Sequence, residues 1–236
     1  MAGSSGFYPL SRFFVEDRGG GVREVVVRVE KLVCFGWSGR DREEVLKHVE
    51  ELSRLGVPRP RSIPEMFVVP PYLLYSGDFL EVYTEFDSGE VEYVLVFDEE
   101  GRVYVGVGSD HTDRVLERLS VEKSKQVYPK VVASRLWMYS DVVDHWDELV
   151  LRSWARRGGR LELYQEGRLA SLVRPEELVE RVGRFFEKRN LVVFSGTIPT
   201  VGGEVYSSDY FVFELYDPVL GRRIRHSYSV RRVVPR

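Results

Sequence analysis

Eight short runs rich in β-branched and aromatic residues fill most of the chain from residue 80 onward: 80–86, 90–97, 103–108, 149–154, 160–165, 191–195, 210–216 and 223–233. Runs of this length bury nothing alone and must pair into sheets. A further run at 23–35 carries Val25, Val27 and Val29, then Leu32 and Val33. Helical spacing interrupts in only four places. Asp41 with Glu44 three residues later has capping-box spacing, and Val45, Val49 and Leu52 recur on one face until Gly56 and Pro58 stop the pattern. Segments 113–119 and 141–149 read as short helices, and 175–188 as an amphipathic one with Pro175 in its first turn and Leu178, Val182 and Phe185 inward. Five prolines (58, 60, 64, 70 and 71) mark an extended connector. The pattern predicts an α+β fold whose mixed sheet curls into a roll or barrel. Residues 1–70 supply an N-terminal strand, a helix and the connector, and 71–236 a β-rich core, in one structural domain overall.

Composition removes several alternatives. With 43% apolar residues, a chain of 236 residues can bury roughly 70 to 75% of its unfolded surface, so it needs no staple. Cys34 is the single cysteine, which excludes an internal disulfide and a thiolate metal site and fits a reducing compartment. A net charge of −3 with mixed signs gives no long-range field for nucleic acid or an anionic membrane. Arg222, Arg223, Arg225, Arg231, Arg232 and Arg236 crowd the last fifteen residues, a pattern that decorates a solvated edge strand more often than it binds phosphate. No apolar stretch reaches the ~18 residues of a membrane span, and Met1 to Gly6 lack a signal pattern, so a cytoplasmic protein is expected. One Asn (Asn190), two Gln and 30% charged residues follow the composition of thermophile proteins.

The segment with the most chemistry is Ser88-Gly-Glu-Val-Glu-Tyr93, followed by an Asp98-Glu-Glu-Gly101 turn and Val103 to Asp110. Glu90 and Glu92 lie two apart on a strand and leave the same face. A three-residue turn centred on Glu100 makes paired positions sum to about 200, which sets Glu92 beside Gly108 and Glu90 beside Asp110. Three carboxylates then meet at the open end of one hairpin, which calls for a cation or a raised pKa. Gly108 opposite Glu92 is expected to leave room for an ion. All-oxygen ligation favours Mg²⁺, Mn²⁺ or Ca²⁺ over zinc. An alternating Glu pair on a solvated sheet face is the plainer explanation of the same spacing.

These motifs, taken in order, resemble the fumarylacetoacetate-hydrolase superfamily. That superfamily carries a strand with Glu-x-Glu, a Gly-rich strand running into Asn-Asp-x-(Ser/Thr)-Ala-Arg-Asp, a Gly-Lys-x-Phe loop and a late Thr-Gly-Thr-Pro-x-Gly-x-Gly segment. Here the corresponding stretches are Gly89-Glu-Val-Glu92, Gly108-Ser-Asp-His-Thr-Asp-Arg114, Ser124-Lys-Gln126, Tyr164-Gln-Glu-Gly167 and Ser195-Gly-Thr-Ile-Pro-Thr-Val-Gly-Gly203. The whole resembles an uncharacterised prokaryotic branch related to that superfamily, and coverage runs from about Gly39 to the C-terminus.

The resemblance implies a metal-dependent enzyme that cleaves a C–C bond of a small 1,3-dicarbonyl or 2-oxo acid through an enolate, and usually a homodimer. The alternatives are a decarboxylase or tautomerase on the same substrate class, or a binding protein that keeps only the fold. It places Glu90, Glu92 and Asp110 at the metal, Mg²⁺ first, and Lys125 at the active-site lysine. Gly196 and Thr197 fall where a substrate oxyanion is held, and Gln165 among the substrate contacts. His48 with Glu51 stands where the superfamily's hydrolases keep a His–Glu pair on an N-terminal lid, although the flanking Asn-Tyr is absent. His111, where the superfamily has an aliphatic residue, reads equally as a group behind the metal, a base or a loop histidine. Arg114 reads as binding a substrate carboxylate or pairing with Asp113. His145, Trp146 and Trp154 are candidates for a dimer surface, with burial the commoner explanation.

Overall fold

The computed structural model describes residues 8–54, 56–84 and 86–233. In chain order the strands are β1 (Leu10–Glu16), β2 (Val22–Arg28), β3 (Lys31–Gly36), β4 (Glu65–Val69), β5 (Leu74–Tyr75), β6 (Phe79–Val82), β7 (Asp87–Ser88), β8 (Val91–Phe97), β9 (Val103–Asp110), β10 (Thr112–Asp113), β11 (Lys130–Val132), β12 (Arg135–Met138), β13 (Val150–Arg157), β14 (Arg160–Arg168), β15 (Leu191–Phe194), β16 (Tyr210–Asp217) and β17 (Arg222–Arg232). The helices are α1 (Arg42–Arg54), α2 (Arg114–Glu117), α3 (Val121–Ser124) and α4 (Pro175–Gly183). A ten-stranded mixed sheet runs β2-β1-β12-β9-β8-β15-β3-β4, with β11 on β9 and β5 on β11. A second sheet of five strands runs β14-β13-β16-β17-β6. This is the expected α+β architecture of a curled mixed sheet with few helices.

Strand β8 lies at the centre and feeds two cores. Val91, Tyr93, Leu95 and Phe97 join one with Trp146, Phe213 and Leu215, while Val94 and Val96 join another with Phe13, Cys34 and Phe194. Every residue of β8 is buried, as in a strand covered on both faces. Glu92 is therefore a carboxylate inside an otherwise apolar element.

Local sequence explains the helix starts. Asp41 Oδ1 accepts the N–H groups of Glu43 and Glu44 at 2.9 and 3.2 Å, and Val45 and Val49 turn inward. Asp113 caps α2 through Val115 N and Leu116 N, both at 2.9 Å.

Several expectations are corrected. The run 23–35 is two strands, because the N–H groups of Glu30 and Lys31 both turn to Asn190 O and the chain passes from pairing with β1 to pairing with β15. Strand β1 was not anticipated. The 113–119 helix is shorter and is followed by a second single turn, α3. The 141–149 segment is two 3₁₀ turns, the second kinked at His145. Helix α4 ends at Gly183, so Phe185 faces solvent, 69% exposed, instead of the core. The 80–86 run pairs only to Val82 on β6; its residue 85 lies outside the described residues. Trp146 is fully buried, edge-on to Tyr93 at 5.0 Å between centroids, and cannot form a subunit surface.

The basic C-terminal run is absorbed by its own sheet and by β7. On β17, Arg223 and Arg225 lie over Tyr216 and Trp154, Arg231 pairs with Glu81, and Arg232 reaches Asp87 Oδ2 at 3.1 Å. Arg236 and Met1 to Gly6 lie outside the described residues. No described helix is long and apolar enough to cross a membrane.

Candidate metal centre

The hairpin register follows from its turn. Gly101, at φ 77°, closes the bend, Val91 pairs with Ser109 and Glu92 with Gly108, and Asp110 N donates to Glu90 O at 3.0 Å. The side chains of Glu90, Glu92 and Asp110 meet at the open end, with one oxygen of each lying within 4.8 Å of the others. Glu92 and Asp110 are fully buried and Glu90 half-buried. The space beside Gly108 is not reserved for an ion as expected. A Cβ there would stand 2.5 Å from the Phe194 ring and 2.8 Å from Val131 O, so this glycine lets β15 and β11 close on the hairpin.

Three cations answer the three carboxylates. Lys125 Nζ donates to Asp110 Oδ2 in a short ion pair, and Lys130 Nζ lies 2.7 Å from Asp110 Oδ1, set too obliquely for a hydrogen bond. Arg114 Nη2 meets Glu90 Oε1 at 3.0 Å, and its other nitrogens go to Ser88 Oγ and Glu117 Oε2. Burial alone would raise the Asp110 carboxyl, but the two ammonium groups outweigh it and hold Asp110 well below the usual carboxylate range. Burial, with the Asp110 charge second, pushes Glu92 well above that range. Glu92 Oε2 accepts Gly196 N–H at 2.8 Å, whereas Oε1 finds no donor. A buried carboxylate oxygen without a donor is costly, and a cation is the partner the neighbouring oxygens could share with it. The all-oxygen donor set suits a hard divalent ion, so the residues fit the group that the motif order implies.

Lys130 escaped the sequence reading. Its only trace in the sequence is a lone cation in the mostly apolar run Tyr128-Pro-Lys-Val-Val-Ala133, which does not by itself point to Asp110.

His111 is buried behind the carboxylates. Glu90 N–H donates to Ser109 Oγ (3.2 Å), Ser109 Oγ bonds Tyr228 Oη (2.9 Å), and Tyr228 Oη bonds His111 Nδ1 (3.0 Å). His111 Nε2 in turn meets Asp87 Oδ1 at 3.1 Å. Burial lowers the His111 pKa despite Asp87, which favours the neutral ring with its proton on Nε2 and Tyr228 donating to Nδ1. His111 thus lies behind the three carboxylates, joined to the Glu90 backbone through Tyr228 and Ser109.

The remaining candidates are placed as follows. Gln165 is saturated: its Oε1 accepts Val91 N–H and Ser153 O–H, and its Nε2 donates to Thr197 Oγ1 and Ile198 O. Thr197 O–H donates to Val91 O at 2.8 Å. Gly196, at φ 88°, has its N–H committed to Glu92. These three brace the hairpin. His48 and Glu51 stand on the outer face of α1, 62% and 70% exposed, with Nδ1 3.8 Å from Oε2. No described contact joins them to the carboxylates. Two surface cavities, of about 350 and about 410 Å³, also lie elsewhere: one spans Gly39–Arg42 and Ile63–Pro64, the other flanks Gly101 and Lys188.

No curated protein matches the sequence. Among solved structures, a 2-keto-3-deoxyarabinonate dehydratase is similar at 17% identity, covering 87% of this chain and 75% of the other, with a TM-score of 0.65. A 2-keto-3-deoxy-D-arabinonate dehydratase complexed with magnesium and 2,5-dioxopentanoate is similar at 16% identity, covering 89% and 76%, with a TM-score of 0.63. A structure assigned to the fumarylacetoacetate hydrolase family, from Yersinia pestis CO92, is similar at 18% identity, covering 94% and 100%, with a TM-score of 0.61. The chain thus has the fold of that superfamily, with a family match over residues 35–228, and it belongs to the family described as protein of unknown function (DUF2848).

Proposed function

We propose that this chain is a metal-dependent enzyme of the fumarylacetoacetate-hydrolase kind, hydrolysing a C–C bond in a small 1,3-dicarbonyl or 2-oxo acid. The observation that carries the reading is the buried convergence of Glu90, Glu92 and Asp110 with Glu92 Oε1 left without a donor. Support also comes from a neighbour of the same fold that is complexed with magnesium and 2,5-dioxopentanoate. Glu90, Glu92 and Asp110 would hold Mg²⁺, or Mn²⁺ or Ca²⁺. Such an ion supplies Lewis-acid stabilisation to the enolate of a chelating substrate.

The chain's own groups divide the remaining tasks. Arg114 fixes Glu90, Gly196 N–H fixes Glu92, and Lys130 fixes Asp110, so the ligand oxygens are oriented before substrate arrives. Lys125 presents an ammonium at the same corner, where it can meet negative charge on a substrate oxygen. By the resemblance, His48, whose Nδ1 lies 3.8 Å from Glu51 Oε2, would be the base for the attacking water.

A specific observation favours a second reading. With His48 62% exposed on the outer face of α1, the buried groups alone suit dehydration, decarboxylation or tautomerisation, which form the same enolate without an activated water. The Mg²⁺-loaded protein should be incubated with acylpyruvates, oxaloacetate, 3-deoxy-2-oxo acids and cyclic diketones, with products identified by NMR. Turnover of an acylpyruvate that falls on the order of 10²-fold in His48→Ala supports hydrolysis; turnover indifferent to His48 supports the second reading. A protein that binds Mg²⁺ and turns over none of the panel overturns the enzyme assignment.

A further inference from the structure

The two lysines on Asp110 are not equivalent. Lys130 belongs to β11, in register opposite Asp110 on β9, and it is fully buried. Its ammonium donates to Tyr128 O at 3.1 Å and His111 O at 3.3 Å, and it lies 2.7 Å from Asp110 Oδ1 as an ion pair. The sheet fixes its stem and the acceptors fix its head. Lys125 stands just past the single turn of α3 and is itself 4% exposed, but the chain reaches the surface two residues on, at Val127, which is 43% exposed. Among the described residues the only hydrogen-bond partner of its ammonium is Asp110 Oδ2, with the Phe67 ring 5.7 Å away. The charges of Asp110, Glu90 and Glu92 all act on its ammonium. One cation is thus built into the sheet, and the other is tethered by a flexible stem among the three carboxylates.

Building on the metal assignment above, we propose that Lys125 is an exchangeable counter-ion: its ammonium competes with a divalent cation for Asp110 Oδ2, while Lys130 stays on Oδ1. The reason is electrostatic. An ammonium and a divalent cation on the same carboxylate oxygen repel across a few ångströms of buried space, and one of them must withdraw. Lys130 cannot leave without stranding its ammonium in the core, whereas Lys125 leaves by rotating its stem toward the exposed end of α3. Ion binding then does two things at once. It satisfies Glu92 Oε1, and it releases an ammonium that becomes free to meet a substrate oxygen only when the site is loaded.

The test uses Mn²⁺ and the full chain. Lys125→Met keeps the length and removes the charge, and Lys125→Arg keeps the charge. Titration calorimetry should give Mn²⁺ binding tightened by about tenfold or more in Lys125→Met and not tightened in Lys125→Arg. Independently, in the unaltered protein, reductive methylation of Lys125 read by peptide mass spectrometry should accelerate at saturating Mn²⁺. Affinity unchanged or weakened in a folded Lys125→Met overturns the proposal and leaves the metal assignment standing, as does methylation that is unchanged or slowed. Absence of Mn²⁺ binding in both the unaltered chain and the variant overturns the metal assignment itself.

Discussion

Replacing Asp110 by Asn would strand two buried ammonium groups at once, since Lys125 and Lys130 both pair with it. Breaking a buried pair by removing one partner costs about 3 to 5 kcal/mol, and here one change unpairs two cations. Asp110→Asn should lower the denaturant midpoint accordingly, without rescue by Mg²⁺. Glu92→Gln should behave in the opposite way. Burial and the Asp110 charge hold the Glu92 pKa above its unfolded value, so its contribution to stability is present at low pH and lost as pH rises through the raised pKa. Asp110, with a depressed pKa, contributes above the usual carboxylate range and loses that contribution only in acid. In chelator, Glu92→Gln should therefore match the unaltered chain at pH 4 and exceed it by about 1 kcal/mol or more at pH 8, by denaturant melts at both pH values. The amide oxygen can still accept Gly196 N–H, so the fold persists while metal binding is lost. At this scale the sequence was informative for the convergence of the three carboxylates and did not give the pairing of each with its own cation or N–H group. Glu90, Glu92 and Asp110 follow from strand parity and turn length, but Lys130 becomes meaningful only once β11 is known to pair with β9.

Between elements, the hairpin β8–β9 depends on the loop that follows β15. Gly196 holds φ 88°, where a side chain is strained, and a Cβ there would stand 2.2 Å from Ser38 Oγ. Gly196→Ala should cost about 2 kcal/mol or more and move the N–H off Glu92, so Mn²⁺ affinity falls together with the melting temperature. An alanine variant with full affinity would show that Glu92 needs no such brace. The register of this hairpin could be read in advance because a tight turn fixes which residues face each other. Other contacts could not. The 23–35 run divides where Asn190, far away in sequence, captures two N–H groups, and α4 stops at Gly183 although the apolar spacing continues to Phe185. Periodicity reports which face is apolar and does not say where an element ends, and for the 23–35 run a tertiary hydrogen-bond acceptor decides it.

Across the whole molecule, the three carboxylates lie where strands from distant parts of the sequence meet in one sheet. Strand β9 carries Asp110 and is flanked by β8, β11 and β12; β15 joins β8 to β3, and β12 joins β9 to β1. Glu90 and Glu92 reach α2 and the loop after β15 through Arg114 and Gly196. An ion shared by the three carboxylates would therefore couple the central hairpin to elements from both ends of the chain, and an unfolded chain cannot assemble that set of oxygens. Binding to the folded state alone stabilises by about 2.7 kcal/mol at a hundred times the dissociation constant. For a domain of this size each kcal/mol moves the melting temperature by roughly 2 to 4 °C, so saturating Mg²⁺ should raise it by about 5 to 10 °C over chelator. The rise should vanish in Glu92→Gln and persist in His48→Ala, whose imidazole touches none of the ligands. A rise of equal size in Glu92→Gln would overturn this site, which is otherwise favoured because no other described group of three or more acidic, histidine or cysteine side chains converges closely enough to hold an ion.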